Sequence, residues 1–190
     1  MKRRKALFGI AILGGGVISY SGYSAFKLFS LPDFAFLENK NNLINQLAEI
    51  IIPTTDTPGA KEANVSDFII HTILNNSDTG TQNNFIRGLK ELSNYTIENY
   101  KCDFENCDES SKTEILRYFE KNSRSYSGLI GKIYTKVFGK SFFEALKEYT
   151  TIGYCTSEVG AKLGLEYVHI PTRYSGCHSI DAGQKCWVTK

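Results

Sequence analysis

Residues 51 to 69 read IIPTTDTPGAKEANVSDFI, and this stretch limits what the segments on either side can become. Before it, Leu43, Ile44, Leu47, Ile50 and Ile51 have the three-and-four spacing of an amphipathic helix. That helix must stop at Pro53, which has no N–H to donate and whose ring clashes with the preceding turn. Thr54, Thr55, Asp56 and Thr57 follow, short polar side chains that bond nearby backbone and favour turns over helix. Pro58-Gly59 fits a type II turn, with proline fixing φ at the second position and glycine taking φ > 0 at the third. Ser66 stands just before the apolar helical pattern Phe68, Ile69 and Ile73, with Asp67 in its first turn, and reads as an N-cap. The prediction is a rigid, hydroxyl-rich elbow between two helices.

The same helical signal continues through the body of the chain. Phe85, Ile86, Leu89 and Leu92 repeat at helical spacing, and the pattern fades near Lys101. Residues 102–107, CDFENC, form a short acidic loop around Phe104, after which Ser110 or Ser111 could cap a helix carrying Glu114, Ile115, Leu116 and Phe119. Ile130, Ile133, Tyr134, Val137 and Phe138 put apolar groups on more than one face, the pattern of a central, well-covered helix. Gly139 interrupts it, and Phe142, Phe143, Leu146 and Tyr149 resume the pattern towards Gly153. Beyond Gly160 the periodicity is broken by Gly164, Pro171, Gly176 and Gly183, so the tail should wrap irregularly over the helices. Strand signals are weak: Tyr167 to Ile170 and the neighbourhood of Trp187 can pair only locally. The fold class that follows is mainly α, a compact helical domain over 34–190 with an irregular C-terminal tail, preceded by an N-terminal signal or anchor helix over 1–26.

That N-terminal segment has its own order. Lys2, Arg3, Arg4 and Lys5 precede an apolar run from Ala6 to Ile18, and a Ser/Gly/Tyr stretch follows to about Ala25. The Arg3-Arg4 pair with Leu7 looks like a twin-arginine export signal, although Ala6 and Phe8 depart from its strongest form. No clear A-x-A cleavage site is present, and the segment from Ala6 to Phe26 is close to the roughly 20 residues that span a bilayer, so an uncleaved anchor is the alternative. A cleaved general secretory signal is a third reading, and every one of these routes ends outside the cytoplasm. The four N-terminal cations also account for the formal charge of +2: residues 26–190 hold 18 basic against 20 acidic residues. A nucleic-acid partner, which would require a phosphate-neutralising surface, is thereby disfavoured.

Five cysteines in an exported chain invite pairing. Cys102 with Cys107 and Cys177 with Cys186 are the economical bridges, leaving Cys155 unpaired and buried, while free thiols remain the alternative because spacing alone does not fix the Cα separation. His169, Cys177, His178 and Cys186 fall close together but lack the paired spacings of a zinc site, and no C-x-x-C-H motif offers haem attachment. There is no G-x-S-x-G elbow around Ser157, His71 is not placed by any triad pattern, and neither a G-x-G-x-x-G nor a G-x-x-x-x-G-K-[ST] loop occurs. Asp56 and Glu158 could be polar contacts of a binding surface, though capping a turn or helix is the commoner role for such residues.

The wording of the elbow, with its IIP-TDTPGA pattern, resembles the signature of the gluconate 2-dehydrogenase subunit 3 family. Further matches are Phe143, Leu146 and Thr150 leading into Gly153-Tyr154, then Thr156-Ser157-Glu158 and Gly160, and in the tail Pro171, Tyr174, Gly176, Gly183-Gln184-Lys185 and Trp187. The resemblance implies a non-catalytic small subunit, holding no cofactor itself, that works beside a large FAD-containing flavoprotein and a cytochrome c acceptor with haem c. It implies membrane-associated oxidation of a sugar or sugar acid outside the cytoplasm, in the periplasm, with this chain assisting the export, folding or stability of the flavoprotein. The alternative is a stand-alone exported helical binding or anchoring protein; an enzyme with an unfamiliar site in the elbow is a weaker third reading. Because loops carry function more often than helices, the contact candidates are Pro53, Thr55, Asp56, Thr57, Pro58 and Gly59 in the elbow and Tyr174 and Trp187 in the tail.

Overall fold

A computed structural model describes residues 30–123, 128–167, 177, 179 and 182–188. The expectations for residues 1–26, including Arg3, Arg4 and Leu7, and those for Tyr174 lie outside the described residues. The described chain is mainly helical: α1 (Phe34–Glu38), α2 (Asn41–Ile51), α3 (Val65–Asn76), α4 (Thr79–Tyr100), a 3-10 turn (Phe104–Asn106), α5 (Glu109–Asn122), α6 (Gly128–Phe138) and α7 (Phe142–Thr156). A π turn (Gly160–Gly164) then leads to β1 (Glu166–Tyr167), which pairs in parallel with β2 (Trp187–Val188). This two-residue ladder is the local pairing the tail sequence allows. Among the described residues no helix is long and apolar enough to cross a membrane.

Helix α2 forms for the reason its sequence gives: Leu43, Ile44, Leu47 and Ala48 line one face and are buried. It ends at Ile52, whose N–H still reaches Ala48 O before Pro53 stops the ladder. The long α4 starts at Asp78, whose carboxylate accepts from the Thr81 N–H at 2.9 Å and the Thr81 hydroxyl at 2.7 Å. Phe85, Leu89 and Leu92 on its inner face are fully buried, each worth about 1.5–3 kcal/mol relative to exposure. It ends where the periodicity fades, with Lys101 in the left-handed region at φ 58°. The core is built by α7 packing along α4 and α3, with α3 packing on α2. At Gly88 the missing side chain lets α7 approach, since a Cβ there would lie 2.2 Å from Phe142 Cγ.

Three expectations are corrected. Ser110 and Ser111 do not cap α5; Asp108 does, accepting from the Ser111 N–H at 3.1 Å and the Ser111 hydroxyl at 2.7 Å. An ionised carboxylate accepts both donors at once and suits the positive end of the helix better than a hydroxyl does. Ser66 does not cap α3; it lies inside the helix, 4% exposed, and the N-cap position is Asn64 at φ 51°, ψ 38°. Asparagine is one of the few residues that enters this region readily, and the turn there lets the Val65 N–H reach Ala60 O. Helix α6, finally, is not central: Ile133 is 57% and Val137 50% exposed. Apolar groups on several faces do not by themselves distinguish a covered helix from one that shows an apolar face outwards.

Candidate functional site

The elbow is organised by Glu49, in the last turn of α2. Its Oε1 accepts from the Thr54 N–H at 2.8 Å and the Thr54 hydroxyl at 2.7 Å, and its Oε2 accepts from the Lys61 N–H at 2.8 Å. The carboxylate therefore bridges both ends of the loop. Partial burial works to raise its pKa, but the Lys61 and Thr54 hydrogen bonds and the Lys61 charge outweigh it, holding the group below its ordinary value of 4.5. Gly59 lies directly beneath: a Cβ there would meet Glu49 Oε1 at 2.5 Å, Oε2 at 2.6 Å and Thr54 N at 2.6 Å.

The predicted type II turn is thus corrected as well. Gly59 is not among the positive-φ glycines, which are Gly139 and Gly183. What Gly59 supplies is space for the Glu49 carboxylate, not a left-handed backbone. Around it the loop is closed by Ala60 N–H to Ile52 O at 2.9 Å and Thr55 N–H to Thr57 O at 3.0 Å.

The second half of the site comes from α7. Tyr154 is 6% exposed, and its hydroxyl donates to Pro58 O at 2.7 Å, tying the elbow to a residue 96 positions away. A buried tyrosine hydroxyl needs such a partner. Gly164 packs against the same hydroxyl, where a Cβ would clash with it. Ser157 donates from its hydroxyl to Tyr154 O at 2.8 Å and accepts from the Gly160 N–H at 2.9 Å. Gly153, whose Cβ would lie 2.7 Å from Phe68 Cδ1, lets α7 close on α3. Elbow, α7 and π turn therefore form one interlocked unit.

The contact candidates divide accordingly. Pro53, Thr55 and Asp56 are exposed, Thr57 and Pro58 half-buried, and Gly59 buried. Asp56 accepts from the Thr55 hydroxyl at 2.9 Å at the tip of the loop. Trp187, in β2, is 54% exposed and away from the core. Glu158 forms an ion pair with Lys162 one turn on, at 2.5 Å. Cys102 and Cys107 are bridged, with Cα atoms 6.0 Å apart. Cys186 is exposed and in no disulfide, so the expected Cys177–Cys186 bridge is not formed. Cys155, expected to be buried, is half-buried, in no disulfide, and packs against the core.

Two concave surfaces flank this unit. A groove of about 350 Å³ runs beside the elbow between α2 and α5, with Glu49, Pro53, Thr54 and Lys112 in its walls. Lys112 is 8% exposed and pairs with Glu109 at 3.1 Å. A wider cleft of about 800 Å³ lies between α4, α5, α6 and α7, walled by Tyr95, Tyr118, Phe119, Tyr134, Phe142 and Phe143. Tyr95 and Tyr118 stack there with ring centroids 4.3 Å apart. Neither surface is lined by histidine or cysteine, and among the described residues no group of three His, Cys, Asp or Glu is placed to hold a metal ion.

Sequence reasoning missed Glu49, Asn64 and Asp108. A signal for Glu49 was present: a carboxylate in the last turn of a helix opposes the helix dipole, so it must have partners beyond the helix. No curated protein and no solved structure gives a significant match to the chain. The family model described as gluconate 2-dehydrogenase subunit 3 matches residues 38–172, a span containing the elbow, Tyr154 and Gly164, and the chain belongs to that family.

Proposed function

We propose that this chain is the non-catalytic small subunit of an exported, FAD-dependent dehydrogenase acting on a sugar or sugar acid. The flavin and any haem c belong to partner subunits. In this reading hydride transfer takes place on the large flavoprotein, and a cytochrome c subunit carries the electrons away. The present chain supplies an export signal of the twin-arginine type to a partner that lacks one, delivers the pair to the periplasmic side of the inner membrane, and supports the folded flavoprotein there.

The observation that carries the reading is where the family's signature residues stand. Tyr154 ties Pro58 of the elbow to α7, Ser157 and Gly160 tie α7 to the π turn, and Gly59 lets the elbow close on Glu49 of α2. The Tyr154 and Ser157 hydroxyls, the Pro58 carbonyl and the two glycines are thus engaged in shaping a surface, with Thr55 and Asp56 displayed at its tip. Such a family signature fits a protein that presents a rigid loop to a partner. The aromatic cleft favours a second reading, a stand-alone exported binding protein that takes a small ligand there.

Replacing Arg3 and Arg4 by Lys tests the export role. The expected outcome is that both this chain and its flavoprotein accumulate in the cytoplasm, each detected in separated cell fractions. Normal export of both would overturn the twin-arginine assignment. The purified chain alone should show neither flavin nor haem absorbance and no dye-linked sugar oxidation; a stoichiometric cofactor would overturn the accessory role.

A further inference from the structure

Helix α6 lies at the edge of the bundle with Ile133 and Val137 at least half exposed and Tyr134 37% exposed beside them. Positions 133, 134 and 137 share one helical face, and Lys136 flanks it. This is also the basic part of the chain. Residues 117–140 hold six Lys and Arg against one acid, whereas residues 26–190 as a whole carry an excess of acids. Lys140 is matched by Glu148 at 2.7 Å. Arg117, Lys121 and Lys136 are exposed and enter no ion pair among the described residues.

A second observation concerns where the N-terminal chain enters the fold. Asn83 donates from its side-chain amide to Ser30 O at 2.8 Å. The next residue, Asn84, donates to Phe138 O at 2.9 Å and to Lys140 O at 3.0 Å. Two consecutive residues of α4 thus bond one to the entry of the N-terminal chain and the other to the C-terminal end of α6. The residues preceding Ser30 include the apolar run from Ala6 to Ile18, and Leu31, at the entry, is 96% exposed.

An exposed apolar face flanked by an unmatched cation, Lys136, within the basic stretch of the chain is the chemistry of a helix lying in the headgroup region of an anionic bilayer. Lysine is depleted from the cores of protein interfaces, so a lipid surface fits this face better than a protein does. We propose that α6 docks on an anionic phospholipid surface, with Ile133 and Val137 inserted among the acyl chains and Lys136 against the headgroups. The inference does not depend on the dehydrogenase partner. Each such cation strengthens association with an anionic surface about fivefold, and added salt weakens it.

The test is amide hydrogen exchange of the full-length protein with vesicles of phosphatidylcholine alone and with vesicles that also contain phosphatidylglycerol. Exchange within residues 128–138 should slow only with the anionic vesicles. Lys136→Ala should reduce that protection about fivefold. Val137→Asp, a change at an exposed position, should abolish it while leaving exchange in α4 and α7 unchanged. Equal exchange with the two vesicle types would overturn the proposal. So would protection of residues 128–138 by the flavoprotein without lipid, which would make this face a protein interface.

Discussion

Glu49 and Gly59 are the two residues on which the elbow's shape depends most directly. The folded pKa of Glu49 lies below its ordinary value of 4.5, so its contribution to stability is complete above that value and is lost as pH falls through the folded pKa. Acid titration of unfolding should therefore show a loss of stability below pH 4.5 that Glu49→Gln reduces. An identical acid limb in wild type and variant would remove Glu49 from its bridging role. For Gly59→Ala, the added methyl group must displace either the carboxylate or the Thr54 backbone, and the expected cost is about 1–3 kcal/mol by denaturant unfolding. Unchanged stability would show that the loop relaxes freely. The sequence made Pro53 legible as a stop because its effect is local and steric. It suggested the wrong reason for Gly59, because the atoms that exclude a side chain there come from the Thr54 backbone and, above all, from Glu49, ten residues earlier in the chain, and a pattern of turn residues does not record them. Asn64 escaped notice for a similar reason: the serine two residues later is an equally good cap by residue type, and only the path of the backbone from Ala60 to Val65 selects the asparagine.

At the scale of elements, helix type was legible for α2, α4 and α7, since buried positions such as Leu43, Leu47, Phe85, Leu89, Leu92 and Leu146 repeat at helical spacing, whereas the breaks between α1 and α2 and between α3 and α4 were not. Helix starts were less legible than helix type. Asp78 and Asp108 each cap a helix through a carboxylate, and in each case polar neighbours that could serve equally well obscure the choice. The location of α6 was not legible at all, because periodicity reports which faces are apolar and not what covers them. The Cys102–Cys107 bridge closes a very short loop across the turn that holds Phe104, 1% exposed, against the core. In the loop-entropy relation such a closure stabilises by about 2 kcal/mol. Cys102→Ser with Cys107→Ser should lower stability by about that amount in thermal unfolding under oxidising conditions; a reducing agent should have a comparable effect on the wild type and none on the variant. Equal stability of the two proteins would mean that the turn is held by Phe104 alone.

Across the whole molecule, the folded part shows a division of surfaces. The elbow, α7 and π turn meet in a locked unit that displays Thr55 and Asp56, and the basic, apolar face of α6 lies on a different set of helices. Family membership rests on residues 38–172, and the same stretch contains every member of the lock: Glu49, Pro58, Gly59, Tyr154, Ser157, Gly160 and Gly164. The resemblance legible in the TDTPGA loop and in Gly153-Tyr154 thus marks two ends of one physical contact, the hydrogen bond from Tyr154 to Pro58 O. That contact could not be derived from the sequence, because nothing local to either end points to the other. The central claim, that this chain works as the companion of a flavoprotein, is tested most directly by affinity purification of the tagged protein from gently solubilised membranes, with the absorbance spectrum and subunit ratio of the eluate recorded. The account predicts a co-purifying large subunit in fixed ratio, a flavin spectrum, and dye-linked oxidation of a sugar or sugar acid. A colourless, monomeric eluate would contradict it.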